Sequence, residues 1–217
     1  MKTRGAMLLL SVALLVSGCK GRLFPASQGN LSSDPPASSS SQDAAQTGLK
    51  VMQSLVMTEN FQGLGFSSVD QVKNAQLGDP LKVYRVPLDA LSAYKGDANA
   101  FGLLQDARKQ IYPLTVDQQV VSSLSATQRD DGWRANEFGN SALTRALVAH
   151  RAGKDDFVVW VPALKIYFTA RGDGEKLVLT TIMDDPRFDF KAGQIIPASQ
   201  AFTILQKFAS AYNGLPQ

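Results

Sequence analysis

Apolar and polar positions fall into three regimes along the 217 residues. Ala6 to Val16 is an apolar run broken only by Ser11. Lys20 to about Gly48 is polar, with Ser38-Ser39-Ser40-Ser41, Pro35-Pro36 and several glutamines. From Leu49 onward the pattern becomes periodic. Leu49, Val51, Met52, Leu55 and Val56 give an apolar helical face. Ser67 to Leu77 predicts a second helix, because Ser68-Val69-Asp70-Gln71 has capping-box spacing and Gly78 and Pro80 stop it.

Strand patterns follow. Leu81 to Val86 alternates, and Gln110 to Val116 predicts another strand, with Pro113 placing it at an edge or bulge. Gln119 to Arg129 and Trp133 to Phe138 predict a hairpin turning at Asp131-Gly132. Gly139-Asn140 precedes a helix from Ser141 to about His150. Phe157 to Ala170 reads as the strongest strand, with Leu164, Ile166, Phe168 and Ala170 on one face. Arg171-Gly172-Asp173-Gly174 turns the chain, and Lys176 to Met183 is apolar on both faces, as in a central strand. A last helix from Ser199 carries Ala201, Phe202, Leu205, Phe208, Ala209 and Tyr212. Hairpins join sequence neighbours, so the expected class is α+β: a mainly antiparallel sheet packed by helices on one face.

The first regime has a separate meaning. Lys2 and Arg4, a short apolar core and small residues at its end form an export signal. The core is short of the ~20 apolar residues of a spanning helix. Leu15-Val16-Ser17-Gly18-Cys19 resembles the lipobox of bacterial lipoproteins. The resemblance covers the leader alone. It implies a diacylglycerol on the Cys19 sulfur, cleavage before Cys19 and acylation of the new amino group. Two or more acyl chains anchor stably where one binds marginally. In the enteric sorting rule, aspartate after the cysteine retains a lipoprotein in the inner membrane. Lys20 therefore points to the outer membrane, with the domain in the periplasm.

These features set the expected organisation. Residues 1–18 are a signal peptide, 19–48 a lipidated cysteine with a disordered Ser/Pro/Gln-rich tether, and 49–217 a single globular domain. A tether of this composition cannot offset its ordering entropy, and spans roughly 30 Å.

Charge narrows the partners. The leader holds two of the 22 basic residues and none of the 19 acidic ones, leaving 20 against 19. A near-neutral domain gives no electrostatic case for nucleic acid or for a polybasic membrane contact. Cys19 is the only cysteine, so no intrachain disulfide forms.

The remaining chemistry is sparse. His150 is the only histidine and falls in a predicted last helical turn, where it complements the dipole. With it and an acylated cysteine, zinc has almost no ligands. Ser92-Ala93-Tyr94-Lys95 is similar to the Ser-x-x-Lys tetrad of penicillin-binding proteins and β-lactamases, which implies Ser92 as nucleophile and Lys95 as base. No Ser-Asp-Asn follows, and Lys191-Ala192-Gly193 departs from Lys-Thr-Gly. Asp130-Asp131, Asp155-Asp156 and Asp184-Asp185, the last with Asp189 nearby, lack calcium-loop spacing and sit at predicted turns. Arg171-Gly172-Asp173 spells an adhesion tripeptide but equally makes a hairpin turn. No phosphate-binding loop is present. Trp133 and Trp160 are placed to fill the core or to line a pocket.

No catalytic, cofactor or metal set assembles, and Cys19 is the one site residue expected. The leading expectation is a non-enzymatic envelope lipoprotein, held to the membrane through Cys19, that binds a protein partner or a small molecule. The alternatives are a serine hydrolase acting on envelope material through Ser92 and Lys95, and a structural spacer or assembly factor with a broad apolar surface patch.

Overall fold

Small residues, not large ones, start the fold. A computed structural model describes residues 37–55, 60–96 and 99–212. The leader, Cys19 and the tether up to residue 36 lie outside the described residues. Helix α1 spans Ser41–Leu55 and buries Ala44, Ala45, Gly48, Leu49 and Met52. It therefore begins inside residues 19–48, the stretch expected to be a tether. Its cap is local: the Ser40 hydroxyl accepts from the Asp43 N–H at 3.1 Å.

The remaining elements follow in chain order. They are α2 (Val69–Asn74), β1 (Gln76–Leu77), β2 (Leu81–Arg85), α3 (Leu88–Ser92), β3 (Gln105–Val116), β4 (Gln119–Arg129) and β5 (Gly132–Phe138). After them come α4 (Ser141–Ala149), β6 (Phe157–Val161), β7 (Ile166–Arg171), β8 (Val178–Thr181), β9 (Ile195–Pro197) and α5 (Ala198–Ala211). The strands form one sheet in the order β5-β4-β3-β2-β6-β7-β8-β9, with β1 paired to β3. Every pairing of these strands is antiparallel except β2 with β6. The expected α+β class is what the structure shows.

Adjacent residues on one strand report which face each helix covers. Tyr112 joins the core under α1 and α2, whereas its neighbour Ile111 joins a core with Leu81, Val83, Val158 and Leu147 of α4. Val158 shares that second core, and its neighbour Val159 packs with Leu91 of α3 and Phe202 and Leu205 of α5. Helices α1, α2, α3 and α5 thus share one face, and α4 lies on the other. This refinement creates the site described below.

Several local expectations shift. Helix α2 is shorter than Ser67–Leu77, but its capping pair is present: Ser68 Oγ accepts from the Gln71 N–H at 3.2 Å, and Gln71 Oε1 from the Ser67 N–H at 2.8 Å. Pro113 sits mid-sheet rather than at an edge. Its carbonyl accepts from Gly78 N at 2.7 Å, so its missing N–H faces the gap between β1 and β2, where no strand needs it. The bulge falls one residue on, between Leu114 and Thr115.

The β4–β5 turn comes one residue early. Arg129 pairs with Gly132, leaving Asp130-Asp131 as the turn. Gly132 serves a different need, because a Cβ there would lie 2.8 Å from the Ser38 carbonyl. Ser38 and Trp133 exchange two backbone hydrogen bonds of 2.8 Å at this point. Phe157–Ala170 is a hairpin and not one strand. A 3-10 turn at Pro162–Leu164 and left-handed Lys165 reverse the chain between β6 and β7. The face expected for Ile166, Phe168 and Ala170 is nonetheless the buried one. Strand β8 lies inside the sheet, as expected, but spans only Val178–Thr181.

Candidate functional site

A cavity of about 280 Å³ opens between α4 and the sheet. The sequence of β4 explains it. On the α1 face β4 presents Leu124 and Ala126, both fully buried. On the α4 face it presents Ser123 and Ser125, which also line the cavity. Two short hydroxyl side chains replace the bulky residues that would fill this volume, so α4 spans a gap.

One wall is aromatic. Trp160 of β6 and Tyr167 of β7 are register partners, and their rings stack with centroids 5.8 Å apart and planes 8° apart. Val83, Ile111 and Leu143 extend the apolar lining. Burial pushes the Tyr167 phenol above its ordinary pKa, and the nearby Glu137 carboxylate adds to this.

The polar groups converge from other elements. Lys109 Nζ of β3 meets Glu137 Oε2 of β5 at 2.5 Å, across the intervening β4. Ser123 Oγ donates to the Gly139 carbonyl and so closes one corner. Ser125 is 5% exposed, and its hydroxyl makes no hydrogen bond to another described residue. Asn140 precedes α4 in the left-handed conformation and does not cap it through its side chain. The first-turn N–H groups of α4 therefore meet no capping side chain at the cavity edge.

The sequence-predicted candidates lie elsewhere. Ser92 ends α3, where its carbonyl accepts from Gln206 Nε2 at 3.1 Å. No hydrogen bond joins Ser92 to Lys95, which is exposed. His150 follows α4 as its C-terminal cap, its carbonyl accepting from Thr169 Oγ1 at 2.8 Å.

The aspartates shape turns. Asp131 pairs with Arg134, and Asp156 Oδ2 accepts from Ala152 N at 2.7 Å. Asp184 accepts from Ala192 N at 2.8 Å, while Asp185 holds Arg187 through Nε at 3.0 Å and the terminal nitrogen at 2.7 Å. Asp189 adopts a positive φ of 55° in the same turn. No group of three or more acidic, histidine or cysteine residues suited to a metal occurs among the described residues. Arg171-Gly172-Asp173 forms the exposed turn after β7. Trp133 is half-buried beside the α1 core, and Trp160 lines the cavity.

Lys109, Ser125 and Glu137 carry no motif and were missed by sequence reasoning. A weak signal existed: Lys109 sits between Ala107 and Ile111, both apolar and both in the α4-side core. No protein-family model matches the chain, and no curated protein or solved structure compared with it is similar.

Proposed function

We propose that this chain is a lipid-anchored envelope protein whose folded domain binds a small ligand in the cavity beneath α4. The anchor rests on the leader and on Cys19. Among the described residues no helix is long and apolar enough to cross a membrane. The observation that carries the binding role is the cavity itself: an aromatic wall, a charged pair and the unengaged Ser125 hydroxyl face one small volume. Apolar enclosure with a few converging polar groups is the usual build of a ligand pocket.

The role is non-enzymatic, with the domain facing the periplasm from the outer membrane. Two measurements test it. Mass spectrometry of the protein from its native membranes should find the leader removed and Cys19 acylated. An intact leader and a free thiol would refute the anchor. A thermal-shift screen of small metabolites should yield a stabilising compound whose effect vanishes in Trp160→Ala. At a hundredfold excess over Kd the gain is ~2.7 kcal/mol. Persistence of every such shift in that variant would place binding elsewhere.

A further inference from the structure

The charged pair at the cavity is lopsided, and this selects a ligand class. The Lys109 side chain is 20% exposed, whereas that of Glu137 is 58% exposed. The Lys109 stem is largely covered, so its ammonium is the more fixed member and stays at the cavity, where it attracts an anion. The carboxylate is the mobile member, since Glu137 sits on the edge strand β5 and can turn into solvent. Two further features favour negative charge in the same cavity. The uncapped N-terminus of α4 carries a partial positive charge. Ser125, 95% buried by its 5% exposure, offers an unengaged hydroxyl donor. On the same sheet face Trp160, Tyr167 and Ile111 offer ring and aliphatic surface to the body of a guest.

We propose that the cavity takes a small organic monocarboxylate with an aromatic or apolar body, whose carboxylate replaces that of Glu137 on the Lys109 ammonium. This rests on the ligand-binding role proposed above. A volume of about 280 Å³ lies at the small end of ligand pockets and sets the size of the part of the guest it covers. A single ring with one carboxylate suits it better than a phospholipid or a peptide. A neutral guest would leave the lysine and glutamate paired. A cation would be repelled by the Lys109 ammonium.

The test compares benzoate with benzyl alcohol on the full-length protein, following tryptophan fluorescence and the amide shifts of Ser125 and Ser141 to Thr144. Benzoate should bind saturably and at least tenfold more tightly than benzyl alcohol. Lys109→Gln should weaken benzoate at least tenfold. Glu137→Gln should tighten it severalfold, because the competing carboxylate is gone. A merely structural ion pair predicts the opposite sign for that variant, so the proposal stays testable even if Lys109→Gln fails to fold. Equal binding of the two probes, or weakening by Glu137→Gln, overturns the anion preference and leaves the ligand-binding role standing. No binding of either probe at millimolar concentration overturns both.

Discussion

The indole of Trp160 runs parallel to the phenol ring of Tyr167 in an offset stack, 5.8 Å between centroids, because β6 and β7 hold the two residues directly opposite one another. Stacked pairs contribute ~0.5–1.5 kcal/mol beyond the area they bury. A double-mutant cycle of Trp160→Ala and Tyr167→Ala should therefore show a coupling of about that size in urea unfolding. Strict additivity would mean the two rings merely share a wall.

The same tyrosine should titrate late. Burial, and secondarily Glu137, raise its pKa in the folded protein. Folding then favours the neutral phenol. The resulting stability is complete below the unfolded value near ~10 and is lost as pH rises through the raised folded value. Tyr112 is raised as well, chiefly by burial. Ultraviolet difference titration should show one fewer late phenol in Tyr167→Phe than in the native protein. Glu137→Gln should bring the Tyr167 transition down. An unmoved transition would deny any field from Glu137 at that ring.

Gly48 lies inside α1, where alanine is favoured by ~1 kcal/mol on helix propensity. A Cβ at this position would stand 2.4 Å from the Ala135 Cβ and 3.1 Å from Leu124 Cδ1. Overpacking of this kind costs about 1–3 kcal/mol. Gly48→Ala should thus lower stability, while Gly63→Ala, with nothing within 4 Å, should not suffer a clash. Ala135→Gly in the Gly48→Ala background should restore part of the loss in thermal melts. A gain in stability from Gly48→Ala alone would show that α1 can lift off the sheet without cost.

Ser92 and Lys95 supply a test of enzymatic chemistry. Ser92 ends a five-residue helix, and no hydrogen bond links it to Lys95. A serine-reactive fluorophosphonate probe should leave the protein unlabelled. Labelling that disappears in Ser92→Ala would establish a serine nucleophile and remove the non-enzymatic role.

Elements with strong periodicity were legible in the chain, and close contacts between small residues were not. The capping serine and glutamine of α2 and the apolar stripe of α5 follow from spacing alone. The start of α1 was hidden because Ala44, Ala45 and Gly48 are small and stand among polar neighbours, so no bulky apolar stripe marks it. They bury by letting the helix approach β4 and β5 closely. The β6–β7 reversal was hidden because a lysine, not a glycine, takes the left-handed position at Lys165. Asp117-Gln118 likewise turns β3 into β4 with two positive φ angles and no glycine.

The cavity was the least legible part. Its residues come from several strands and one helix, and sheet register alone brings Lys109 beside Glu137. Only Trp160 drew attention beforehand. The two β4 serines resemble ordinary polar strand positions until their face of the sheet is known.

The backbone bridge at Ser38 has a consequence for how copies of this protein coexist. The outer strand on one side, β5, already has a rung occupied by the chain that leads into its own first helix. On the other side β9 is three residues long and ends in Pro197, which has no amide hydrogen to offer. Neither border presents a long open ladder to a stranger's strand, so copies at high local concentration are guarded against zipping edge to edge.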